Sequence, residues 1–299
     1  MEPLSTTITG KTHLVAIVGR PVTHSVSPAT HSLAYKKTGI DSVFLAFDIG
    51  AEDLEAVVAA FRVMNGWDSI TVTMPCKQAI MKYLDGLSPE AELAGAVNVV
   101  KKESDGRIIG YNADGAGFIN NLLNHGVKIA GSTITLLGPG GAGSAILAQA
   151  ALDGAARIDA FARKGGSSFN HAKELKHKIE DKTQCIVNIY PFEDENQLKK
   201  SISNSDILAN CTNIGMGIGN TETPIPPDFI KPGMVVAEVI NTPRETQLLL
   251  EAKKLGCKTY SGLGMNDQQS VVADKIRYDI EIPIEEVRAE LSQNDGLPK

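Results

Sequence analysis

The sequence predicts an α/β protein with two domains, an α/β substrate domain and a Rossmann-type doubly wound parallel sheet. Short apolar runs alternate with longer stretches of helical periodicity, which is typical of repeated strand–helix–strand units. Aromatic residues make up only 5% of the chain, so Val, Ile, Leu and Ala must build the core, as in buried parallel strands. A glycine-rich turn follows roughly 130 residues that are enough for a domain of their own.

Composition excludes several classes of partner. The net charge is −6 and no basic stripe is present, so we expect no nucleic-acid partner. No apolar run reaches the roughly 20 residues of a membrane span, and no secretory signal begins the chain, which favours a cytoplasmic protein. The four cysteines and six histidines lack the spacing of a metal site, so reduced thiols and no metal are expected. A monomer and a homodimer both remain open.

Each element of the first half follows from periodicity and turn residues. A strand at 14–19 ends at Gly19, and a helix at 28–37 has Ser27 as its cap and Pro28 in its first position. The remaining predictions are strands at 42–49, 69–73, 97–100 and 107–111, the last two forming a hairpin, and helices at 51–64 and 114–125.

The second half repeats the alternation. A strand at 132–138 precedes the glycine-rich turn, and a helix of small residues follows it through Asp153. We predict further strands at 157–163, 185–190, 206–212, 234–240 and 257–262, helices at about 171–180, 196–203 and 246–255, and two helices between 264 and 291 broken at Pro283. The predicted domains are 1–115 with 262–299, for the substrate, and 116–261, for a dinucleotide.

The glycine-rich turn predicts a dinucleotide site. Its sequence, GPGGAG at 138–143, matches GxGxxG between a strand and a helix. The first glycine makes the tight turn, the second admits the pyrophosphate, and the third lets helix and strand pack closely. Phosphates would bind the amides and the dipole at the helix N-terminus; the alternative is a structural turn. The contacting residues are predicted to be Gly138, Gly140, Gly141, Ala142 and Gly143.

The end of the next strand favours NADP over NAD. An NAD-binding protein usually carries Asp or Glu there, whereas this chain has Arg163 and Lys164, twenty residues past Gly143. A guanidinium and an ammonium would pair with the 2′-phosphate of NADP. Asp159 lies within the strand and is expected to point elsewhere. NAD stays possible, and a solvated loop is the alternative interpretation of the two cations.

Several motifs, taken together, resemble the shikimate/quinate dehydrogenase family. They run in order along the chain: GRPVTHSVSP at 19–28, VTMPCK at 72–77, GAVN at 95–98, GYNADG at 110–115, NCTNIGM at 210–216 and GLGM at 262–265 followed by Gln269. The resemblance implies an NADP-dependent dehydrogenase that interconverts a ring hydroxyl and a ketone of a cyclic polyol acid, shikimate or quinate. Its active site would lie in the cleft between the domains.

The resemblance also implies roles for individual residues. Lys77 and Asp114 would form the acid/base pair that manages the hydroxyl proton, although alone they would be interpreted as a surface lysine and a helix cap. Thr212, Met216 and Gly264 would line the cofactor site, with core packing as the alternative for Met216. Hydroxyls and amides suit a polyol because they both donate and accept hydrogen bonds; those implied are Ser25, Ser27, Thr73, Asn98 and Gln269.

Departures from the family pattern leave the substrate open. Thr71 replaces an asparagine before VTxPxK, and Asn241 replaces a tyrosine. Further departures are His31-Ser32, Thr242, Asn266 and Asp267. Two alternatives follow: a catalytically weak dinucleotide-binding regulatory paralogue, and another Rossmann oxidoreductase such as a methylene-tetrahydrofolate dehydrogenase relative.

Overall fold

The computed structural model describes residues 8–293, which form two compact units. The first unit contains the described residues up to Ala113 and those from Ser270 onward, and the second runs from Asp114 to Gln269. The sequence-based boundaries were 115/116 and 261/262. The division differs because the helix that begins at Asp114 packs against the helix after the glycine turn and lies beside the backbone of Gln269.

The first unit is a mixed six-stranded sheet with helices. Its sheet has the order β2-β1-β3-β5-β6-β4, in which β1, β2 and β3 are parallel and β5 is antiparallel to β3 and β6. The predicted hairpin, β5 and β6, is confirmed. The elements are β1 (His13–Gly19), α1 (Ser27–Thr38), β2 (Ser42–Asp48), α2 (Leu54–Val63), β3 (Trp67–Val72), α3 (Cys76–Ala79), β4 (Gly86–Leu87), α4 (Pro89–Ala94), β5 (Val99–Lys102) and β6 (Ile108–Tyr111).

Apolar residues at sheet and helix positions build the core of this unit. The interior strand β1 is apolar after His13, and its last five residues are buried, as expected for a strand covered on both faces. Phe61 of α2 is fully buried, and Ile70 and Val72 of β3 belong to the same cluster. The carboxyl ends of β1 and β3 are therefore held by a packed apolar core. The motif segments GRPVTHSVSP and VTMPCK lie at these two ends.

The second unit is a parallel six-stranded sheet. Its elements are α5 (Asp114–Asn124), β7 (Thr133–Leu137), α6 (Gly141–Leu152), β8 (Arg157–Ala162), α7 (Ser167–Lys182), β9 (Ile186–Pro191), α8 (Glu195–Ser203), β10 (Ile207–Asn210), β11 (Val235–Glu238), α9 (Gln247–Lys254), β12 (Lys258–Tyr260) and the start of α10 (Gly262–Tyr278). The helix α10 ends in the first unit, where α11 (Ile284–Gln293) follows it.

The strand order of this unit confirms the predicted Rossmann type. It is β12-β11-β10-β7-β8-β9, and all neighbouring pairs are parallel. The strands that follow β7 are added on one side of it, and those from β10 onward are added on the other side. The boundary between β7 and β10 is therefore the topological switch point, where such sheets bind their ligands. The glycine-rich turn follows β7 at this point.

The sequence analysis differs from the structure at one helix cap and at three short elements. The prediction that Ser27 caps α1 is wrong: the helix already includes Ser27, and the preceding residue, Val26, makes no side-chain cap. The Ser25 hydroxyl instead accepts the Ser27 amide at 3.3 Å. Periodicity also missed the short elements α3, β4 and α4, although Ser88 before Pro89 is a capping signal and its hydroxyl accepts the Ala91 amide.

A buried charged network ties α10 to the first unit's sheet and to α1. Asp274 accepts hydrogen bonds from Tyr35 at 2.9 Å and Arg277 at 2.8 Å, and it contacts His31 at 2.7 Å. Arg277 also donates to Ser69 at 3.2 Å, and to Thr71. Asp274 and the Arg277 side chain are 0% exposed. Burial lowers the pKa of His31, so the neutral ring is favoured.

Among residues 8–293, no helix combines the length and the apolar character that a membrane span requires.

Candidate active site

The serine loop, which is the GRPVTHSVSP segment at 19–28, lies at the end of β1 in the first unit. Its residue Val22 is only 2% exposed and anchors the loop, because its carbonyl accepts the Ser25 amide at 3.0 Å. Ser25 and Ser27 are half-buried at the start of α1. The loop thus places two hydroxyls beyond the carboxyl end of β1, and their substrate role stays a prediction.

Thr73 and Lys77 follow the neighbouring strand, β3. The Thr73 amide donates to the Val18 carbonyl at 2.9 Å, which joins the ends of β1 and β3. Lys77 is half-buried in α3, and its carbonyl accepts the Val97 amide at 2.9 Å. This backbone bond brings the GAVN segment beside the lysine, so Lys77 does not occupy the fully exposed position that a surface lysine would have.

Asn98 is the most deeply buried of the predicted substrate residues, at 1% exposure. Its side-chain oxygen accepts the Ala113 amide at 2.8 Å, and its carbonyl accepts the Val72 amide at 2.9 Å. The amide is therefore held in one orientation next to the end of β3. The first unit brings together five predicted residues at the carboxyl ends of β1 and β3: Ser25, Ser27, Thr73, Lys77 and Asn98.

Asp114 and Gln269 form a direct pair in the second unit. Gln269 donates through its side-chain nitrogen to an Asp114 carboxylate oxygen at 2.8 Å, and Asp114 is 4% exposed. Gly117, one turn into α5, lies against the Gln269 backbone. Sequence reasoning treated Gln269 as a substrate ligand and missed this partnership, since 155 residues separate the two.

The glycine-rich turn has the geometry of a dinucleotide cradle. Gly138 has a φ of +83°, and a Cβ there would stand 2.7 Å from the Thr212 methyl group. A Cβ on Gly143 would overlap the Gly138 carbonyl oxygen, so any larger residue would force helix α6 away from β7. Around Gly141, where α6 begins, no atom lies within 4 Å of the position of a Cβ, which leaves space for phosphate oxygens at the helix N-terminus.

Arg163 and Lys164 are both exposed directly after β8. The Gly138 amide donates to the Phe161 carbonyl at 2.9 Å, so the end of β8 adjoins the glycine turn. Asp159 points elsewhere, as predicted: it is buried and bonded to Arg157 at 2.9 and 3.0 Å, and to Ser201 at 2.7 Å. No carboxylate of β8 therefore competes with a 2′-phosphate.

Two residues beside the glycine-rich turn and the end of β8 were not predicted from the sequence. Ser168, in the first turn of α7, has its hydroxyl 3.5 Å from the position of a Cβ on Gly140. The Glu193 carboxylate lies 3.4 Å from the Lys164 amide nitrogen. The Ser-Ser pair that begins a helix after the second strand of this unit was the available signal for Ser168. No pattern in the sequence indicated Glu193.

Thr212, Met216 and Gly264 all belong to the second unit. Thr212 lies over Gly138, and both its amide and its hydroxyl donate to the Asn210 side-chain oxygen, at 3.1 and 2.7 Å. Met216 is 54% exposed, so the alternative that it packs in the core is wrong. Gly264 sits so close to the buried Asn121 side chain that a Cβ would overlap it.

Within residues 8–293 the potential metal ligands do not cluster and the cysteines are free thiols. No group of three or more His, Cys, Asp or Glu side chains within 8–293 could hold a metal ion. The four cysteines are free, and burial raises the pKa of Cys185 to about 11. Burial also raises the pKa of Cys76 and Cys257, so these thiols stay protonated at neutral pH.

Comparison with known proteins gives a consistent result. The family model described as shikimate dehydrogenase substrate binding domain matches residues 17–100. A shikimate dehydrogenase (NADP(+)) of Listeria monocytogenes is 42% identical over 284 residues, which cover 94% of this chain and 96% of that protein.

Solved structures agree with this relationship. The crystal structure of a Listeria monocytogenes shikimate 5-dehydrogenase, in complex with shikimate and NAD, has a TM-score of 0.91 at 41% identity and covers 95% of this chain and 98% of that one. A shikimate dehydrogenase in complex with NADP+ has a TM-score of 0.86 at 34% identity, covering 99% and 100% of the two chains.

The sheet order and the glycine turn define this protein as a Rossmann-type dinucleotide-binding α/β protein with an additional α/β unit. The relationship to the dehydrogenases extends over both units. The chain belongs to the shikimate dehydrogenase family, which confirms the family predicted from its motifs.

Proposed function

We propose that this protein is an NADP-dependent shikimate dehydrogenase, which interconverts a ring hydroxyl of shikimate and the corresponding ketone. The observation that carries the proposal is the 42% identity to a shikimate dehydrogenase (NADP(+)) along 94% of the chain. The side chains that the reaction needs are also present, at the carboxyl ends of β1 and β3 and at the start of α5. The relatives are dehydrogenases, so the alternative of a regulatory paralogue has no support.

Lys77 and Asp114 manage the proton in this proposal. Bound NADP+ would supply the hydride acceptor for oxidation and NADPH the hydride donor for reduction, while a protein group must take or return the proton of the hydroxyl on the same carbon. The Lys77 amine does this, while the Asp114 carboxylate attracts and orients the ammonium form. Gln269 supports the step, since its 2.8 Å hydrogen bond holds one Asp114 oxygen in place.

The substrate hydroxyls and carboxylate bind to the hydroxyl and amide cluster of the first unit. Ser25, Ser27 and Thr73 each offer a group that both donates and accepts, which suits a ring with several hydroxyls. The Asn98 side chain is buried, and its oxygen accepts the Ala113 amide, which fixes the orientation of the side-chain amide in this proposal. Since a good hydrogen bond to a bound hydroxyl contributes about 1–3 kcal/mol, the cluster can discriminate among polyol acids.

The residues after β8 fit the 2′-phosphate of NADP. Arg163 and Lys164 are exposed cations next to the glycine-rich turn, and Ser168 adds a hydroxyl near Gly140. The Asp159 carboxylate is buried and accepts a hydrogen bond from Ser201. Arginine binds phosphate through parallel N–H groups, so Arg163 is the main selecting group. The Glu193 carboxylate, 3.4 Å from the Lys164 amide nitrogen, would repel the phosphate.

Arg163→Ala is expected to raise KM for NADP by roughly 10- to 100-fold and KM for NAD by less than about 2-fold, because only NADP carries the 2′-phosphate. Glu193→Gln is expected to lower KM for NADP. Lys178→Ala, which removes an exposed cation farther along α7, serves as the control and should change neither constant. Steady-state kinetics with both cofactors checks this, and equal effects of Arg163→Ala on both would refute the assignment.

A substrate screen tests the proposed function directly. Purified protein is assayed by nicotinamide absorbance with shikimate and with quinate, each with NADP+ and with NAD+. We expect kcat/KM to be highest for shikimate with NADP+. Turnover of quinate alone would move the assignment to the quinate branch, and no turnover with either acid, despite NADP binding, would overturn the proposed activity. A cytoplasmic location, a monomeric or homodimeric state and the lack of a nucleic-acid partner remain predictions.

A further inference from the structure

Glu238 is a buried carboxylate in the second unit that the reaction does not use. It is the last residue of β11 and is 1% exposed. One carboxylate oxygen, Oε2, accepts the Thr246 hydroxyl at 2.9 Å, and the other, Oε1, is buried and makes no hydrogen bond of good geometry. Within residues 8–293, Glu238 takes part in no ion pair. A buried acid without a cation is unfavourable, which calls for a reason for its presence.

The neighbouring strand supplies the matching donor. Asn210 is the last residue of β10 and pairs directly with Glu238 in the parallel register, so both side chains lie on the same face of the sheet. The Asn210 nitrogen, Nδ2, is also buried and also makes no hydrogen bond of good geometry. An unpartnered donor and an unpartnered acceptor thus stand on adjacent residues of the sheet.

The oxygen of the Asn210 side-chain amide bonds to Thr212, which belongs to the same NCTNIGM segment at 210–216. This oxygen accepts both the amide and the hydroxyl of Thr212, at 3.1 and 2.7 Å. The Thr212 hydroxyl in turn accepts the Ile214 amide at 3.2 Å, and the Thr212 methyl lies against Gly138. The orientation of one buried amide therefore determines how the NCTNIGM turn is held over the glycine turn.

A carboxylate at position 238 permits only one orientation of that amide. If Asn210 were rotated by half a turn, its oxygen would face the Glu238 carboxylate, and its nitrogen would face the Thr212 amide, placing donor against donor. Both contacts would be repulsive in a buried site. Burial raises the pKa of Glu238 to about 7, while Thr246 and Asn210 act in the opposite direction, and either protonation state retains an acceptor oxygen.

We propose that Glu238 is a positioning residue of the dinucleotide site, which acts by orienting the Asn210 amide and thereby holding Thr212 over the Gly138 turn. The inference rests on the proposed function, because it assumes that NADP binds at this turn. It assigns Glu238 an effect on NADP binding and none on the proton step, since its hydrogen bond to Thr246 and the hydrogen bonds of Asn210 to Thr212 belong to the cofactor side of the proposal.

The test compares three variants by calorimetric titration with NADP+ and by kinetics. Glu238→Met keeps the side-chain length and loses both oxygens, and Glu238→Gln keeps an acceptor for Asn210. Thr246→Val removes the other hydrogen bond of Glu238 and the cap of α9, whose Leu249 amide bonds to the Thr246 hydroxyl. Glu238→Ala, which cannot clash with its surroundings, replaces Glu238→Met if that variant does not fold.

We expect Glu238→Met or Glu238→Ala to raise Kd and KM for NADP about 10-fold and to change kcat less than about 2-fold. Glu238→Gln should bind NADP within about 2-fold of the parent, and Thr246→Val should lower the melting temperature without changing Kd.

Three results would overturn the inference: an unchanged Kd in the folded disrupting variant, Glu238→Met or its replacement Glu238→Ala; a Thr246→Val effect on Kd as large as the effect of that variant; or a parent protein that does not bind NADP. A parent that binds NADP but does not oxidise shikimate would overturn the proposed function alone, because the binding comparison needs no turnover.

Discussion

Replacing Lys77 with alanine should lower kcat for shikimate oxidation by about 10²- to 10⁴-fold, the range for loss of a general acid–base group. Lys77 lies half-buried after β3, where backbone hydrogen bonds to neighbouring segments hold its position. We therefore expect removal of its side chain to leave the backbone of the site in place. NADP binds to the second unit in our proposal, and its Kd should therefore change less than about 2-fold. Single-turnover kinetics and NADP titration measure the two quantities separately.

A nearby lysine provides the control for this experiment. Lys82 is exposed in the following turn, where its amine lies over the Tyr83 ring, and Lys82→Ala should leave kcat and KM unchanged. Asp114→Asn should lower kcat as Lys77→Ala does, because it removes the charge that orients the ammonium. Normal turnover by Lys77→Ala would exclude the proton role, and a large rise in the NADP Kd would show a structural effect instead.

Asp274→Asn should lower the free energy of unfolding by about 3–5 kcal/mol, since it leaves the buried Arg277 guanidinium without its counter-charge. Asp274 also accepts from Tyr35 and contacts His31, so three partners lose a charged acceptor. Urea unfolding at neutral pH gives the comparison. Asp279→Asn is the matched control: Asp279 pairs with Lys275 at the exposed end of the same helix, and its replacement should leave stability nearly unchanged.

The same variant has a defined pH dependence. Burial acts to raise the pKa of Asp274, but its interactions with His31 and Arg277 outweigh burial and hold that pKa below its ordinary value. A lowered pKa means that the unfolded chain binds the proton more tightly, so the contribution of Asp274 is present above its ordinary pKa of about 4 and is lost as pH falls through the lowered value. The stability difference between parent and Asp274→Asn should therefore shrink on acidification; a constant difference would contradict this account.

The candidate site was predictable where its chemistry is local in sequence. The turn from Gly138 to Gly143 needs a positive φ and a close backbone approach, which only glycine allows, so a few letters after a strand reveal it. The position of Arg163 and Lys164 could be predicted in the same way, because they come directly after β8, and their role toward a 2′-phosphate stays a prediction. Ser27 shows the limit of local rules: it has a capping residue type, yet the helix includes it.

Pairings between distant residues could not be predicted. The bond between Gln269 and Asp114 joins residues 155 apart, and the contact between His31 and Asp274 joins residues 243 apart. Each polar side chain has many chemically suitable partners in the chain, and burial by packing selects one of them. The same reason applies to Glu238. In the sequence it is an acid at the end of a strand, and only its position beside Asn210 in the folded sheet indicates a role.

Apolar periodicity, turn glycines and the motif segments were enough to establish the α/β class, the dinucleotide turn and the family, because these features depend on backbone chemistry over a few neighbouring residues. Folding in three dimensions determined where the two units divide, which donor meets which acceptor, and which acids are buried. Those outcomes depend on how strands and helices exclude water around each group, and residues far apart in the chain contribute to that exclusion together.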